Sequence, residues 1–307
     1  MREDYISFLI TDELEGERID KCLTGLIDFM SRSGIQKRIK DQLVFVGDTP
    51  VKASYIVKSG DEIRLPVPEN EEPDIPAENI PLDILYEDND LLIVNKPKGM
   101  VVHPAAGHYS GTLVNAVMYH CKDSLSGING VLRPGIVHRI DKDTTGSIVI
   151  CKNDKAHLSV AEQLKEHSIN RVYRAICYGV PDKEEGTIES MIGRDPKDRK
   201  KMAVVMQGGK HAVTHYRVLQ RFRDYAYIEC RLETGRTHQI RVHMASIGHP
   251  LLGDIVYSNR KSPFHLEGQT LHAAVIGLVH PTTGAYLEVE APLPDYFRHL
   301  LEILKKM

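Results

Sequence analysis

Val137-His138-Arg139-Ile140-Asp141-Lys142-Asp143-Thr144-Thr145-Gly146 is the stretch on which the fold turns. The run Ile136 to Arg139 leads into a polar turn that holds one His, one Arg and two carboxylates. A second apolar run, Ser147 to Cys151, follows, so the pattern predicts two strands around a turn. Loops held between strands are where reactive groups tend to be displayed. If the first strand continues far enough, Arg139 and Asp141 share one face and His138 takes the other. Spacing alone better suits a polar turn whose carboxylates bond backbone N–H groups.

Outward from this stretch, Leu91 to Val94 reads as a buried strand. Thr112 to Tyr119 suits a helix with Thr112 as its N-cap, and Asp154 is placed to cap a helix reaching about Lys165. Val172 to Val180, His215 to Leu219 and Ala226 to Leu232 read as further strands. A helix after Thr237 should end at Gly248, with Pro250 just beyond. Strands and helices mix without regular βαβ alternation, which predicts an α+β fold.

On the N-terminal side, Leu65 to Pro76 carries four prolines and four acids, the composition of an extended, self-repelling linker. It predicts an N-terminal domain over 1–68, a linker over 69–80 and a larger domain over 81–307. In the small domain a helix starts near Arg18, with Ile19, Cys22, Leu23, Leu26 and Ile27 along one face. Ser33 and Gln36 have capping-box spacing ahead of a second helix. That helix carries Lys37, Arg38 and Lys40, with Arg32 just before it. Leu43 to Val46 and Asp61 to Leu65 read as strands, with a turn at Gly47-Asp48-Thr49-Pro50. A basic helix of this kind can lie along a phosphate backbone, or can simply be a solvated face.

The 307 residues exceed one typical domain, and their apolar and charged shares are those of a globular protein. No apolar run is long enough for a membrane span, and the N-terminus does not read as a secretory signal. Five widely spaced cysteines, without a C-x-x-C, argue against a disulfide framework or a thiolate zinc site and suggest reduced thiols in the cytoplasm. Net charge is −3, but residues 65–95 hold nine acids and no base. Without them 39 bases face 33 acids, a balance of +6, and fields are local under physiological salt.

Three more runs could carry chemistry. In Leu232 to His243, Arg236, His238 and Arg241 gather where a strand ends and a helix begins, a favourable place for phosphate. His238 and His243 are five apart and no Glu follows His238, so a zinc helix does not fit. In Asn170 to Ile176, strand alternation puts Arg171, Tyr173 and Ala175 on one face. Asn95 to Pro104 is a turn-rich run between apolar stretches. A phosphoesterase or glycosidase built on Asp141 and Asp143 would need a paired acid and base or a metal, which the spacing does not supply.

Together the four runs resemble the large pseudouridine synthase family that modifies ribosomal and transfer RNA. Its patterns, K-P-x-G, H-R-L-D-x-x-T-S-G, K-x-Y-x-A and T-G-R-T-H-Q-I-R-V-H, occur here in order from Lys96 to His243. Ile140 stands for Leu, Thr145 for Ser and Arg171 for Lys. The N-terminal domain resembles the ribosomal-protein-S-four-like RNA-binding domain, with Val46-Gly47-Asp48 in place of its usual V-N-G turn. The resemblance implies a mixed, largely antiparallel sheet with flanking helices and a central cleft. It implies a monomeric, cofactor-free isomerase acting on RNA, most closely the type that acts on large-subunit ribosomal RNA. Uracil is detached from C1′, turned and rejoined through C5. Asp141 corresponds to the essential carboxylate, which attacks C1′ or removes the 2′ proton. Arg241 corresponds to its paired cation, Tyr173 to the ring that stacks on uracil, and Arg139 to the side chain that fills the gap left by the flipped nucleotide. Transfer RNA as substrate, or a catalytically silent RNA-binding protein, are the alternative readings.

Overall fold

The computed structural model describes residues 5–27, 32–66, 75–104, 109–122, 124–128, 134–198 and 201–307. Residues 67–74, which carry the four acids between Leu65 and Pro76, lie outside them. The chain divides into two compact units, Met1–Glu71 and Glu72–Met307.

The first unit runs β1 (Tyr5–Leu9), a short 3-10 turn, α1 (Ile19–Leu26), α2 (Arg32–Lys40), β2 (Phe45–Val46), β3 (Thr49–Pro50) and β4 (Glu62–Pro66). Its strands form an antiparallel sheet in the order β1-β4-β2-β3. Ile19, Cys22 and Leu23 from α1 meet Ile35 and Ile39 from α2 over Ile63 and Leu65 of β4. Each such buried aliphatic side chain contributes on the order of 2 kcal/mol. The helices are also clasped by Asp20, fully buried, which accepts from Gln36 (2.9 Å), Arg32 (3.0 Å) and Arg18 (3.0 Å). These bonds, Gln36 foremost, hold its carboxyl well below the usual carboxylate range. Helix α2 begins at Arg32, so Ser33 sits in its first turn rather than at the cap, and Gln36 bonds Asp20. The Ser33 side chain lies outside the described residues.

The second unit holds β5 (Ile84–Glu87), β6 (Leu91–Lys96), α3 (Leu113–Cys121), β7 (Thr145–Cys151), α4 (Asp154–Lys165), β8 (Asn170–Tyr178), β9 (Glu185–Arg194), β10 (Met202–Val204), β11 (Lys210–Arg221), β12 (Tyr225–Leu232), α5 (Gln239–Ser246), β13 (Leu271–Val279), β14 (Tyr286–Glu290) and α6 (Asp295–Leu304). All ten strands form one sheet, ordered β10-β9-β11-β12-β8-β13-β7-β6-β5. Strand β14 pairs with the later part of the β13 edge whose start pairs with β7. Among the described residues only the β7–β13 pair is parallel, so the fold is α+β with a mixed, largely antiparallel sheet.

Period-two alternation assigns the two faces. Leu92, Val94, Ile148, Ile150, Tyr173, Ala175, Ile228 and Cys230 point to the face covered by α3 and α5. Their neighbours Leu91, Ile93, Val149 and Cys151 point to the opposite face, under α4. Ile176 and Tyr178 lie under Phe297, Leu300 and Leu304 of α6. Gly146 has φ +108°, and a Cβ there would run into the Ala273 carbonyl, so only glycine lets β7 and β13 approach in parallel.

Two local expectations change. Ile136 to Arg139 is not a strand; it makes one bridge, Ile136 to Ile150. Beyond it the His138 ring, not a backbone carbonyl, accepts the Val149 N–H at 3.0 Å, which ends the ladder and frees the chain to loop. Asp154 is not the cap of α4. Asn153 accepts the Ala156 N–H at 2.9 Å, while the Asp154 carboxylate takes the Ser126 hydroxyl at 2.7 Å. Thr112 caps α3 as expected, in a reciprocal box with Asn115.

Candidate active site

The loop carrying Asp141 is fixed on both sides. At its start, burial and the Arg171 charge push the His138 pKa down to about 3, so the ring stays neutral and can accept the Val149 amide. At its end, the Lys142 carbonyl accepts from Gly99 N (3.0 Å) and Lys96 Nζ (2.9 Å). Lys96 is fully buried, and its other N–H groups go to the carbonyls of Pro97 (2.9 Å) and Met100 (2.8 Å). Burial pulls its pKa down to about 7, against the fields of Asp143 and Asp141. The Lys96-Pro97-Lys98-Gly99 run is thus a clamp on the residue that follows Asp141.

Helix α5 supplies the partner. Arg241 donates from Nη1 to Asp141 Oδ2 at 3.0 Å. Its Nε and Nη2 donate to the two oxygens of Asp254 at 2.7 and 2.9 Å, a side-on pair that fixes the guanidinium plane. Asp254 is buried, and its Oδ1 also takes the Val256 and Tyr257 N–H groups. The Tyr257 ring lies 5.0 Å from the guanidinium carbon. Burial works against the Arg241 charge, but Asp254 and Asp141 outweigh it and raise its pKa.

His238 stands at the start of α5 in the left-handed region, φ +58°. Its Nε2 is 3.9 Å from Asp141 Oδ1, and its Nδ1 is 2.7 Å from the Tyr257 hydroxyl. That hydroxyl accepts the Met202 N–H at 3.0 Å, so its own proton is free for Nδ1. In this arrangement Nε2 keeps its proton and faces Asp141. Burial lowers the His238 pKa against the pull of Asp141, which favours the neutral ring.

The rest of the α5 motif is structural. Gln239 accepts from Thr234 and Arg236 and donates to Val213 and Thr214, four bonds of 2.8–3.0 Å that sew the helix start to β11. His243 bonds Thr214 and Ser190 and is pushed down to about 4 by burial.

Asp141, Arg241 and His238 line a cavity of about 550 Å³ with Tyr173, Arg171, Arg139, Arg236 and Leu232. Tyr173 is 8% exposed, and burial raises its phenol pKa, so it remains a neutral ring. Arg139 is exposed, its Nη1 3.5 Å from His103. Arg236 donates to the His211 carbonyl at 2.8 Å. Arg32 is spent in part on Asp20, whereas Lys37 and Lys40 of α2 are exposed and Arg38 half-buried. Asp141, Tyr173, Arg241, Arg139, Arg236 and His238 thus share one cavity; Arg32, Lys37, Arg38 and Lys40 belong to the first unit. Sequence reasoning passed over Asp254, Tyr257 and the clamp role of Lys96. Among the described residues no group of three His, Cys, Asp or Glu could hold a metal ion.

A carboxylate held by a guanidinium at the edge of a cavity floored by a neutral aromatic ring is the setting the four sequence runs imply. Residues 90–246 match the sequence profile described as RNA pseudouridylate synthase, and residues 29–63 that of the S4 domain. The chain belongs to the RNA pseudouridine synthase family. It is 53% identical over 303 residues, 99% of both chains, to an uncharacterized RNA pseudouridine synthase of Bacillus subtilis. It is 47% identical over 309 residues, 96% of both chains, to the ribosomal large subunit pseudouridine synthase D of Zymomonas mobilis. The solved structure of human RNA pseudouridylate synthase domain containing 4 is 28% identical and aligns with a TM-score of 0.57, over 72% of this chain and 92% of that one. The enzymes of this family are isomerases that convert uridine in RNA to pseudouridine, and an S4 domain accompanies the synthase domain here.

Proposed function

We propose that the protein isomerises uridines of large-subunit ribosomal RNA, with Asp141 as the essential carboxylate. The observation that carries the residue assignment is the Arg241 guanidinium, shared between Asp141 at 3.0 Å and the buried Asp254. The substrate reading rests on the relatives named for the large ribosomal subunit, which match this chain nearly end to end.

In the proposed reaction the C1′–N1 bond breaks and its electron pair leaves with uracil. Asp141 either bonds C1′ or takes the 2′ proton, and Arg241 keeps it ionised in a partly desolvated cleft. The base turns against Tyr173, and C5 joins C1′ as the Asp141–C1′ bond breaks or, on the other route, as the 2′ proton returns from Asp141; the C5 proton is then lost and N1 gains one. No redox partner or energy source enters this balance. Arg139, exposed at the cavity, fills the stack that the flipped nucleotide leaves. The S4-type unit, spanning about residues 1–68, grips the RNA through Arg32, Lys37, Arg38 and Lys40, and Arg236 and His238 touch it at the cleft. The enzyme works as a monomer in the cytoplasm, without a cofactor. No helix among the described residues is long and apolar enough to cross a membrane.

Tritium release from ribosomal RNA labelled at uracil C5 tests this reading. Wild type should release label, and Asp141→Asn should lower the rate by about three orders of magnitude or more while RNA is still bound. Activity that survives in Asp141→Asn overturns the assignment. Release from transfer RNA but not from ribosomal RNA overturns the substrate.

A further inference from the structure

Arg171 on β8 has 8% of its surface exposed and lines the cleft, yet among the described residues no carboxylate lies within ion-pair distance of it. Its Nη2 donates to the Glu233 carbonyl at 2.8 Å, and its Nε is buried without a hydrogen-bond partner. Gly235 makes this position possible, because a Cβ there would stand 2.6 Å from Nη1. A buried ion without a counter-ion is strongly unfavourable, and a guanidinium cannot escape by releasing its proton. The neighbours do not compensate. Arg236, on the same turn as Gly235, adds a second positive charge, and His138 is held neutral. Lys165 and His167 line the same cavity. Arg171 and Tyr173 stand two residues apart on β8, on one face of the strand, and both line the cavity that holds Asp141.

We propose that Arg171 and Arg236 form a phosphate subsite that holds the phosphodiester flanking the target uridine. The proposal rests on the isomerase reading above. RNA brings an anion to each flank of the flipped nucleotide, and a pair of guanidinium forks suits its oxygens. The subsite anchors the strand while the base is worked on in the same cavity, against Tyr173. It also accounts for a glycine at 235, which clears space for the buried fork.

The test uses the full chain and a transcript of large-subunit ribosomal RNA. Half-saturating RNA concentration, saturating tritium-release rate and the slope of log Kd against log salt are measured for wild type, Arg171→Gln and Arg171→Lys. Arg171→Gln should raise the half-saturating concentration about tenfold and reduce the salt slope by about 0.7, the share of one single-strand phosphate contact. The saturating rate should change less than about threefold, and Arg171→Lys should restore the slope. A fall in saturating rate at unchanged half-saturating concentration, or an unchanged salt slope, overturns the subsite. If Arg171→Gln does not fold, a stem-loop bearing the converted uridine is compared with one carrying a neutral methylphosphonate on either flank. Equal affinity of wild type for all three rejects the proposal. Absence of tritium release by wild type rejects the isomerase reading instead, and the salt slopes still report on the subsite.

Discussion

Arg241 donates three of its N–H groups to two carboxylates, and the division of labour between them is physical. Asp254 is buried, takes the side-on pair and receives two backbone N–H groups, so it cannot move toward a substrate. Asp141 is 19% exposed and takes a single bond, which leaves it free to meet ribose in the proposed reaction. Asp254→Asn should therefore remove the hold on the guanidinium without touching substrate. We expect kcat to fall about 100-fold, the scale of a misplacement of roughly 1 Å, and stability to drop by about 3–5 kcal/mol in urea unfolding, because a buried pair is broken from one side. An unchanged kcat in folded Asp254→Asn would count against a positioning role. Asp141, Tyr173 and Arg241 were legible in the sequence because they sit in long, ordered runs. Asp254 was not, since Leu252-Gly253-Asp254-Ile255 looks like any turn and its partner is reached only through the packing of α5.

At the level of elements, the loop before β7 depends on a side chain that replaces backbone pairing and on a lysine that gathers three carbonyls. Neither role was legible beforehand, because Asn95 to Pro104 reads only as a turn-rich run and Ile136 to Arg139 as a strand. The Lys96 clamp makes a pH prediction whose sign is fixed. The folded protein releases the Lys96 proton near pH 7, while the unfolded chain holds it to about 10.5. Between these values the unfolded state binds more protons, so the lysine's contribution to stability rises with pH and is least below pH 7. Urea midpoints for wild type and Lys96→Met, measured from pH 6.5 to 10, should show an upward trend in wild type that the variant lacks. Parallel curves would contradict the burial cost assigned to Lys96. Tritium release by Lys96→Met should also be reduced, because the Lys142 carbonyl loses one of its two anchors.

Across the whole molecule, the net charge of −3 conceals a basic remainder once residues 65–95 are set aside. Each unit has its own apolar core, which makes a truncation meaningful. Removing residues 1–68 should raise the half-saturating RNA concentration about 10- to 100-fold through lost phosphate contacts and leave the saturating rate within a few-fold. The dependence on salt should also become shallower. An unchanged half-saturating concentration would reject the RNA-gripping role of the first unit.

What the sequence by itself determined is the set of local chemistries and their order. Apolar periodicity placed α1, α3, β6, β8 and β12, and the four motif runs named the carboxylate, its cation and the aromatic ring. Periodicity reports which residues leave water, and motifs report which groups recur together, so both act through near neighbours along the chain. Only the tertiary structure decided how Asp141 is held. Its loop is set by Lys96 from 45 positions upstream, its cation by Asp254 from 13 positions beyond Arg241, and β7 by the parallel approach to β13 that Gly146 permits. The first two constraints arise where a buried ion must find partners in a low-dielectric interior, and the third where two backbones pass too close for a Cβ. Which segment supplies them follows from the crossing of strands and helices, not from any pattern within the segment itself.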